Sequence, residues 1–85
     1  MPEIIIYSKA SCPYCELTKN LFEQKHVSFQ EIRIDLNEKE RDIMIERSGK
    51  RTVPQIFING KSIGGYDDLA NLEKSGKLDA LLHSD

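Results

Sequence analysis

Two cysteines, Cys12 and Cys15, stand three residues apart and are the only cysteines of the chain. The stretch Ser11–Pro13 is expected to open a helix, because proline suits the first helical position. The spacing then brings both sulfurs to one side of the first turn, within reach of disulfide geometry. This pattern predicts thiol–disulfide exchange, in which Cys12 attacks a disulfide and Cys15 resolves the mixed disulfide that forms.

A helix start beneath Cys12 favours its thiolate form and so lowers the pKa of its thiol. The helix dipole contributes about 0.3–2 kcal/mol, and a hydrogen bond to a charged acceptor contributes about 1.5–3 kcal/mol. Lowering the pKa of a thiol from about 8.5 to about 5 requires about 4.8 kcal/mol, which the dipole alone does not supply. We therefore expect the backbone N–H groups of Tyr14 and Cys15 to donate to the Cys12 sulfur, and Lys9 to add Coulomb attraction.

The cysteine pair could instead be half of a metal site, or two inert core residues. A zinc site needs four ligands, and only His26 and His83 could complete one. Neither histidine has finger-like spacing to the other, so we expect both to be exposed and without function. The β-α-β context favours the redox interpretation, and no metal is expected.

Short apolar runs predict the elements that position the pair. Ile4–Tyr7 is typical of a strand buried on both faces. The helix that follows ends near His26, and its inner face is expected to consist of Leu17, Leu21 and Phe22. A second strand is predicted through Phe29, Ile32 and Ile34.

A second helix is predicted by its end signals. Asn37 and Glu40 can form a capping box at its start, and Gly49 can end it. Ile43 and Met44 are expected to face inward.

The C-terminal part of the chain predicts a hairpin and a last helix. Asn59-Gly60 is a strong hairpin signal between the strands Gln55–Ile58 and Lys61–Ile63. Asp67 or Asp68 can cap the helix that follows. This helix carries Leu69 and Leu72, is interrupted at Lys74–Gly76, and resumes with Leu78, Leu81 and Leu82.

The predicted order is β-α-β-α-β-β-α, which gives an α/β fold with a four-stranded mixed sheet and helices on both faces. A crossover helix makes the first two strands parallel. The 85 residues are expected to form a single domain, 1–85.

Composition bears on partners and location. Twelve basic and 14 acidic residues give a net charge of −2, which provides no general attraction to nucleic acid or to an anionic membrane. The first apolar run is too short for a secretory signal, and nothing reaches the ~20 apolar residues of a membrane span. Together with the cysteine usage, this predicts a cytoplasmic protein in which a lasting structural disulfide is not expected.

The chain resembles the glutaredoxin family of the thioredoxin superfamily over almost its whole length. The resemblance rests on four motifs in order: Lys9, Cys12-Pro13-Tyr14-Cys15, Thr52-Val53-Pro54, and Gly64-Gly65-Tyr66-Asp67-Asp68. The dithiol motif is similar to that of small bacterial members. The C-G-F-S of monothiol members and the W-C-G-P-C of thioredoxins are missing.

The resemblance implies a thioredoxin-like fold and a glutathione-binding groove. Val53-Pro54 would be a cis peptide bond that turns the Val53 backbone toward Cys12, where it could pair with the backbone of a substrate cysteine. Gly64 and Gly65 would permit positive φ and close approach of a ligand.

The same resemblance assigns two charged ends to the groove. Exposed N–H groups near Asp67 and Asp68 would hold the α-carboxylate of a γ-glutamyl group, and an Asp carboxylate would attract its ammonium. Lys9 and Arg51 would receive the glycyl carboxylate at the opposite end. The remaining expected contacts are Tyr14, Thr52, Val53, Pro54 and Gly65, with Gln55 as a further hydrogen-bond partner; Tyr66 has no assigned role.

The implied activity is the reduction of protein disulfides and of protein–glutathione mixed disulfides. Glutathione would be the reducing co-substrate, with no tightly bound cofactor, and the chain is expected to act as a monomer. Ribonucleotide reductase is an expected family substrate. Two alternatives are a redoxin reduced by thioredoxin reductase, and an iron–sulfur carrier in which two chains and two glutathiones supply four thiolates.

Overall fold

The computed structural model describes residues 2–83. Its elements follow the predicted order, with the last helix in two pieces that meet at the predicted interruption. They are β1 (Ile4–Ser8), α1 (Pro13–Gln24), β2 (Gln30–Arg33), α2 (Glu38–Ser48), β3 (Gln55–Ile58), β4 (Lys61–Gly64), α3 (Tyr66–Lys74) and α4 (Lys77–His83).

The four strands form one mixed sheet in the order β2-β1-β3-β4. β1 pairs in parallel with β2 and antiparallel with β3, so that Ile6 lies opposite both Glu31 and Ile56. β3 and β4 form the predicted antiparallel hairpin. The two strands with continuous apolar runs, β1 and β3, occupy the centre of the sheet, because only there are both faces of a strand covered.

Helices α1, α3 and α4 cover one face of the sheet. Phe22, Leu69 and Leu78 are completely buried there. They pack against the side chains that β1 and β3 direct to this face, which are Ile4, Ile6, Ile56 and Ile58. This cluster fixes α1, and therefore the cysteine pair at its start, against the sheet.

Helix α2 covers the opposite face. Met44 is completely buried against Tyr7 and Phe57, whose rings meet edge to face with centroids 5.6 Å apart. The Arg47 guanidinium lies 4.5 Å from the centre of the Phe57 ring. The prediction of helices on both faces is confirmed.

Two predicted inward side chains are in fact exposed. Leu17 is 44% exposed and Ile43 is 39% exposed. In α1 the inner face consists of Cys15, Thr18 and Phe22. Thr18 can be buried because its hydroxyl donates to the Tyr14 carbonyl oxygen at 2.8 Å, which satisfies the polar group within the helix.

Asn37 caps α2 and Gly49 ends it, as predicted, but only one of the two hydrogen bonds of the predicted capping box is present among the described residues. The Asn37 side-chain oxygen accepts from the Glu40 backbone N–H at 3.3 Å. Gly49 ends the helix in the left-handed conformation, with φ of 73°, and its N–H donates to the Ile45 carbonyl oxygen at 2.8 Å.

Lys25, at the end of α1, connects this helix to both C-terminal helices. Its ammonium lies 2.6 Å from the Glu73 carboxylate and 2.9 Å from that of Asp79. Hydrogen bonds to these two carboxylates raise the pKa of Lys25. Among residues 2–83, no helix combines the length and apolar character needed to cross a membrane.

Candidate active site

The cysteine pair lies where β1 gives way to α1, and its two sulfurs form a disulfide. Cys12 is the residue that caps α1, and Pro13 follows as the first helical residue, as predicted. Cys15 is completely buried, whereas Cys12 retains 9% exposure. Of the two sulfurs, that of Cys12 is therefore the one that an external thiol or disulfide can approach.

The Cys12 sulfur accepts a hydrogen bond from the Cys15 backbone N–H at 3.2 Å. This is one of the two predicted donors; the structure gives no such bond from Tyr14 among the described residues. The Cys12 carbonyl oxygen accepts from the Glu16 N–H at 3.1 Å and so begins the helix. The same backbone donor would stabilise a thiolate at this position once the disulfide is reduced.

Val53 lies beside Cys12, at the approach to β3. The Val53–Pro54 peptide bond is cis, as the family resemblance implied. The Val53 carbonyl oxygen is 4.0 Å from the Cys12 sulfur. Since a disulfide sulfur carries no proton, this is a close approach and not a hydrogen bond. The Val53 backbone therefore borders the more exposed of the two sulfurs.

A groove of about 280 Å³ opens beside the pair. It lies between the start of α1, the loop before β3 and the start of α3. Seven of the predicted glutathione contacts line it: Tyr14, Thr52, Val53, Pro54, Gly65, Asp67 and Asp68.

Lys9 and Arg51 do not line this groove, although both are exposed. Lys50 lines it instead. Sequence reasoning missed Lys50 because two adjacent cations in a loop are indistinguishable until the backbone direction is known. The only signal available was that Lys50 and Arg51 share the segment that leads into Thr52-Val53-Pro54.

Gln55 and Tyr66 also line the groove. Gln55 is 2% exposed, and its side-chain N–H group donates to the Thr52 hydroxyl at 3.4 Å. Its side-chain oxygen is buried without a hydrogen-bond partner among the described residues. The Tyr66 ring packs against that of Tyr14, with centroids 5.9 Å apart, which gives a role to a residue for which the sequence suggested none.

The far end of the groove is the start of α3. The residue that caps this helix is Gly65, and not Asp67 or Asp68 as predicted. Asp68 acts from the first turn, where its carboxylate accepts from the Gly65 N–H at 3.1 Å. The carboxylate of Asp67 makes no hydrogen bond to a described residue and is exposed at the groove. First-turn N–H groups of a helix have no acceptor within it, so this end offers backbone donors and one unengaged carboxylate.

Gly64 is the glycine that this turn requires. Its φ is 112°, and a Cβ atom there would overlap the Asp68 carboxylate. Gly65, by contrast, has a φ of −94°. The prediction of positive φ is therefore correct for Gly64 and wrong for Gly65, which serves as a wall of the groove facing Pro54.

The loop that precedes Cys12 is held by Asp35. Its carboxylate accepts from the Ala10 backbone N–H at 3.3 Å and pairs with the Arg33 guanidinium at 2.6 Å. The hydrogen bond from Arg33, helped by that from Ala10, lowers the pKa of Asp35 to about 2. The end of β2 thus anchors the segment from which the reactive cysteine projects.

A second carboxylate, Glu31, ties β1 to α1. It accepts from the buried Ser8 hydroxyl at 2.6 Å and from the Lys19 ammonium at 3.0 Å. The Ser8 hydroxyl contributes most to lowering the pKa of Glu31. These contacts hold the side of α1 against the sheet below the cysteine pair.

Residues 2–83 contain no group of three or more histidine, cysteine, aspartate or glutamate side chains that could hold a metal ion. His26 and His83 are both exposed, as expected. The two cysteines are engaged with each other.

Comparison with known proteins shows the family to which the chain belongs. The glutaredoxin family model matches residues 4–63. Glutaredoxin 3 of Escherichia coli K12 is 54% identical over 82 residues, which cover 96% of this chain and 99% of that protein.

Solved structures of other glutaredoxins have a fold similar to that of this chain. The buckwheat glutaredoxin–glutathione complex superposes with a TM-score of 0.86 at 35% identity, over 93% of this chain and 74% of that one. The solution structure of a Brucella melitensis glutaredoxin gives 0.82 at 48% identity, over 94% and 87% of the two chains.

A thioredoxin-like sheet with a cysteine pair at the start of its first helix defines a thiol–disulfide oxidoreductase. Within this class, the matched family model and the identity to glutaredoxin 3 of Escherichia coli over nearly the full chain indicate one family. The chain belongs to the glutaredoxin family. It is an enzyme that uses glutathione as a co-substrate.

Proposed function

We propose that Cys12 is the nucleophile of this enzyme and Cys15 the resolving cysteine. The observation that carries the assignment is the difference in access between the two sulfurs, 9% exposure for Cys12 against 0% for Cys15. The backbone N–H that points at Cys12 supports it further, because a donor at the sulfur favours the thiolate over the thiol.

With a protein–glutathione mixed disulfide, the Cys12 thiolate attacks the glutathione sulfur. The protein leaves as a thiolate, and Cys12 becomes disulfide-linked to glutathione. The thiolate of a second glutathione then attacks the sulfur of the bound glutathione. Oxidised glutathione leaves and the Cys12 thiolate is restored, so Cys15 takes no part.

With a protein disulfide, Cys12 attacks one substrate sulfur and the other leaves as a thiolate. The Cys15 thiolate then attacks the Cys12 sulfur and displaces the first substrate sulfur. The product is a reduced protein and the Cys12–Cys15 disulfide, which is the form of the enzyme described above. Two glutathiones return the enzyme to the dithiol state and leave as one oxidised glutathione.

Glutathione would lie in the groove of about 280 Å³ with its sulfur toward Cys12. The Val53 backbone would pair with its cysteinyl residue by short strand addition, and the Tyr14 ring would cover that residue. At the far end, the first-turn N–H groups of α3 would bind the γ-glutamyl carboxylate, and Asp67 would attract the ammonium. The ammonium is assigned to Asp67 and not to Asp68 because the Asp68 carboxylate already accepts a hydrogen bond from the Gly65 N–H.

The glycyl carboxylate requires a cation at the opposite end. Lys50 is supported by its place in the groove lining. Lys9 and Arg51 stay predictions of the family resemblance; both are exposed, so long-range attraction of the anionic co-substrate is the role that their positions support. The structurally similar buckwheat glutaredoxin forms a complex with glutathione, which supports glutathione as the occupant.

We further propose that the protein substrates are disulfide-containing and glutathionylated proteins and that the enzyme acts as a monomer in the cytoplasm. The use of cysteine supports the location, because both cysteines belong to one reactive pair. Ribonucleotide reductase and the iron–sulfur alternative stay untested predictions; absorbance in the visible range after anaerobic purification would reveal a cluster.

Replacement of each cysteine by serine tests the assignment. Cys15→Ser is expected to retain reduction of a glutathionylated peptide and to lose reduction of a peptide disulfide, whereas Cys12→Ser is expected to lose both. Both reactions are followed through glutathione reductase and NADPH consumption. Loss of the first reaction in Cys15→Ser, or its retention in Cys12→Ser, would overturn the assignment.

A further inference from the structure

A second groove, of about 490 Å³, lies between β4 and the two C-terminal helices. Its floor is apolar and consists of partly buried side chains from three elements, which are Ile63, Leu72 and Leu81. Its rim is polar and carries two lysines, Lys61 and Lys77. The redox chemistry uses none of these five residues.

This groove continues the first one. Asp68 lines both grooves, so they meet at the start of α3. A chain that leaves the cysteine pair along the first groove is therefore directed toward the second. The Asp68 carboxylate, at the junction, accepts from the Gly65 N–H.

The charge of the second groove defines what it can hold. Lys61 and Lys77 are exposed, and neither belongs to an ion pair within the described part of the chain. The charged groups that line the groove are these two lysines and the Asp68 carboxylate, so the groove is locally positive although the protein as a whole carries a net charge of −2. An occupant that places apolar side chains on the floor and carboxylates at the rim is complementary to it.

β4 is the last strand of the sheet in residues 2–83, so one of its edges carries no further strand. Such an edge favours an extended chain over a helix as the neighbour. A segment of about six extended residues spans about 20 Å, comparable to the shorter dimensions of the molecule, 24 and 20 Å.

We propose that the second groove binds an extended acidic and apolar segment of a protein-disulfide substrate, next to its reactive cysteine. The proposal rests on the proposed function, because the substrate cysteine must first be placed on Cys12 and Val53. It adds a recognition surface outside the glutathione groove, and it assigns Lys61 and Lys77 to the selection of protein substrates.

The test compares two peptide disulfides with the same reactive core. One carries an extension of alternating aspartate and leucine, and the other carries lysine and leucine, with the extension placed on either side of the core. The enzymes are the wild type and the double variant Lys61→Glu/Lys77→Glu. A double variant on α2, Lys39→Glu/Arg41→Glu, is the matched control, because it changes the net charge equally on the other face of the sheet.

The wild type is expected to reduce the acidic peptide with a lower KM than the basic one. Lys61→Glu/Lys77→Glu is expected to raise the KM of the acidic peptide about 3- to 10-fold and to lower that of the basic peptide, whereas the α2 control changes both far less. Added salt is expected to shrink the difference. Equal KM values for both peptides in the wild type and the double variant would overturn the proposal, as would the same shift in the control.

The glutathione mixed disulfide of free cysteine separates this proposal from the proposed function. It is too small to reach the second groove, so Lys61→Glu/Lys77→Glu is expected to reduce it at the wild-type rate. If the wild type fails with this substrate, the proposed function is wrong. If the double variant instead changes the sedimentation of the enzyme alone, the groove holds a second copy of the chain, and the substrate proposal is wrong.

Discussion

The rings of Tyr14 and Tyr66 pack against each other with centroids 5.9 Å apart and planes inclined by 33°. Tyr14 belongs to the first turn of α1 and Tyr66 to that of α3. The contact therefore joins the helix that carries the cysteines to the helix at the far end of the groove beside them. Tyr14 is 58% exposed, so Tyr66 is a main support for a side chain that would otherwise move freely in solvent.

Tyr66→Ala is therefore expected to raise the KM for a glutathionylated peptide about 2- to 10-fold, corresponding to the loss of an aromatic pair worth about 0.5–1.5 kcal/mol. Tyr66→Phe keeps the ring and is expected to behave like the wild type. Steady-state kinetics on both variants measure the effect. A wild-type KM in Tyr66→Ala would show that Tyr14 needs no support.

The two aspartates at the start of α3 are expected to have separable effects. Asp67→Ala removes the unengaged carboxylate and should raise the KM for glutathione about 2- to 5-fold, as expected for an exposed ion pair, while stability falls only by the dipole contribution of an exposed first-turn carboxylate, about 0.3–1 kcal/mol. Asp68→Ala removes the acceptor of the Gly65 N–H and should lower the free energy of unfolding by about 1 kcal/mol. Urea unfolding and glutathione titration of each variant give the two quantities; identical profiles for both variants would contradict this division.

Ionisation of the Asp35 carboxylate is expected to make the stability of the protein depend on pH. Its pKa of about 2 in the folded protein lies below the ordinary value for aspartate in an unfolded chain, about 3.9. The stability that this carboxylate contributes is therefore fully present above about pH 4 and is lost as the pH falls toward 2. The urea midpoint of Asp35→Asn should lie below that of the wild type at pH 5, and the two should converge near pH 2.

The control for this experiment is Asp42→Asn, which removes an exposed carboxylate of α2 that makes no ion pair among residues 2–83. Its urea midpoint at pH 5 should lie close to that of the wild type, because no ion pair among these residues is lost. A constant difference for Asp35→Asn between pH 5 and pH 2 would show that the contacts of Asp35 with Arg33 and Ala10 do not depend on its charge.

Replacement of Gln55 by an apolar side chain of similar volume is expected to stabilise the protein. Its side-chain oxygen is buried without a partner among the described residues, and its bond to Thr52 is long, at 3.4 Å. Gln55→Met keeps the volume and removes the unsatisfied group, so we expect the free energy of unfolding to rise by up to about 1 kcal/mol. Gln55→Glu would bury a carboxylate and should be clearly destabilised. A less stable Gln55→Met would mean that a buried water satisfies the oxygen.

The order of the elements could be predicted because it depends on local signals: the β-branched run of β1, the Asn37 cap, the Gly49 stop and the Asn59-Gly60 turn. The inner faces of the helices were harder. In α2, Ile43, Met44 and Ile45 are consecutive, and only contact with the sheet decides that Met44 is the one completely buried.

The residues of the site, too, could be predicted from the sequence only in part. The cysteine pair and the turn at Gly64 are recognisable because their residue types are restricted by chemistry or by backbone geometry, whereas Val53 was singled out only through the family resemblance. Lysine and arginine are interchangeable in an exposed loop as far as the sequence shows, so Lys50 was missed while Lys9 and Arg51 were favoured. The role of Tyr66 depends on two helix starts approaching in space, which no local pattern encodes.

The central position of β3 beside β1 has a consequence for the newly made chain. Cys12 and Val53 are far apart in sequence and become neighbours only when β3 has paired with β1. Pairing over such a separation is slow compared with the formation of a helix. During synthesis the two thiols therefore exist for a time before the groove has formed. In that interval they can be oxidised or alkylated by reagents that the groove of the folded protein does not select.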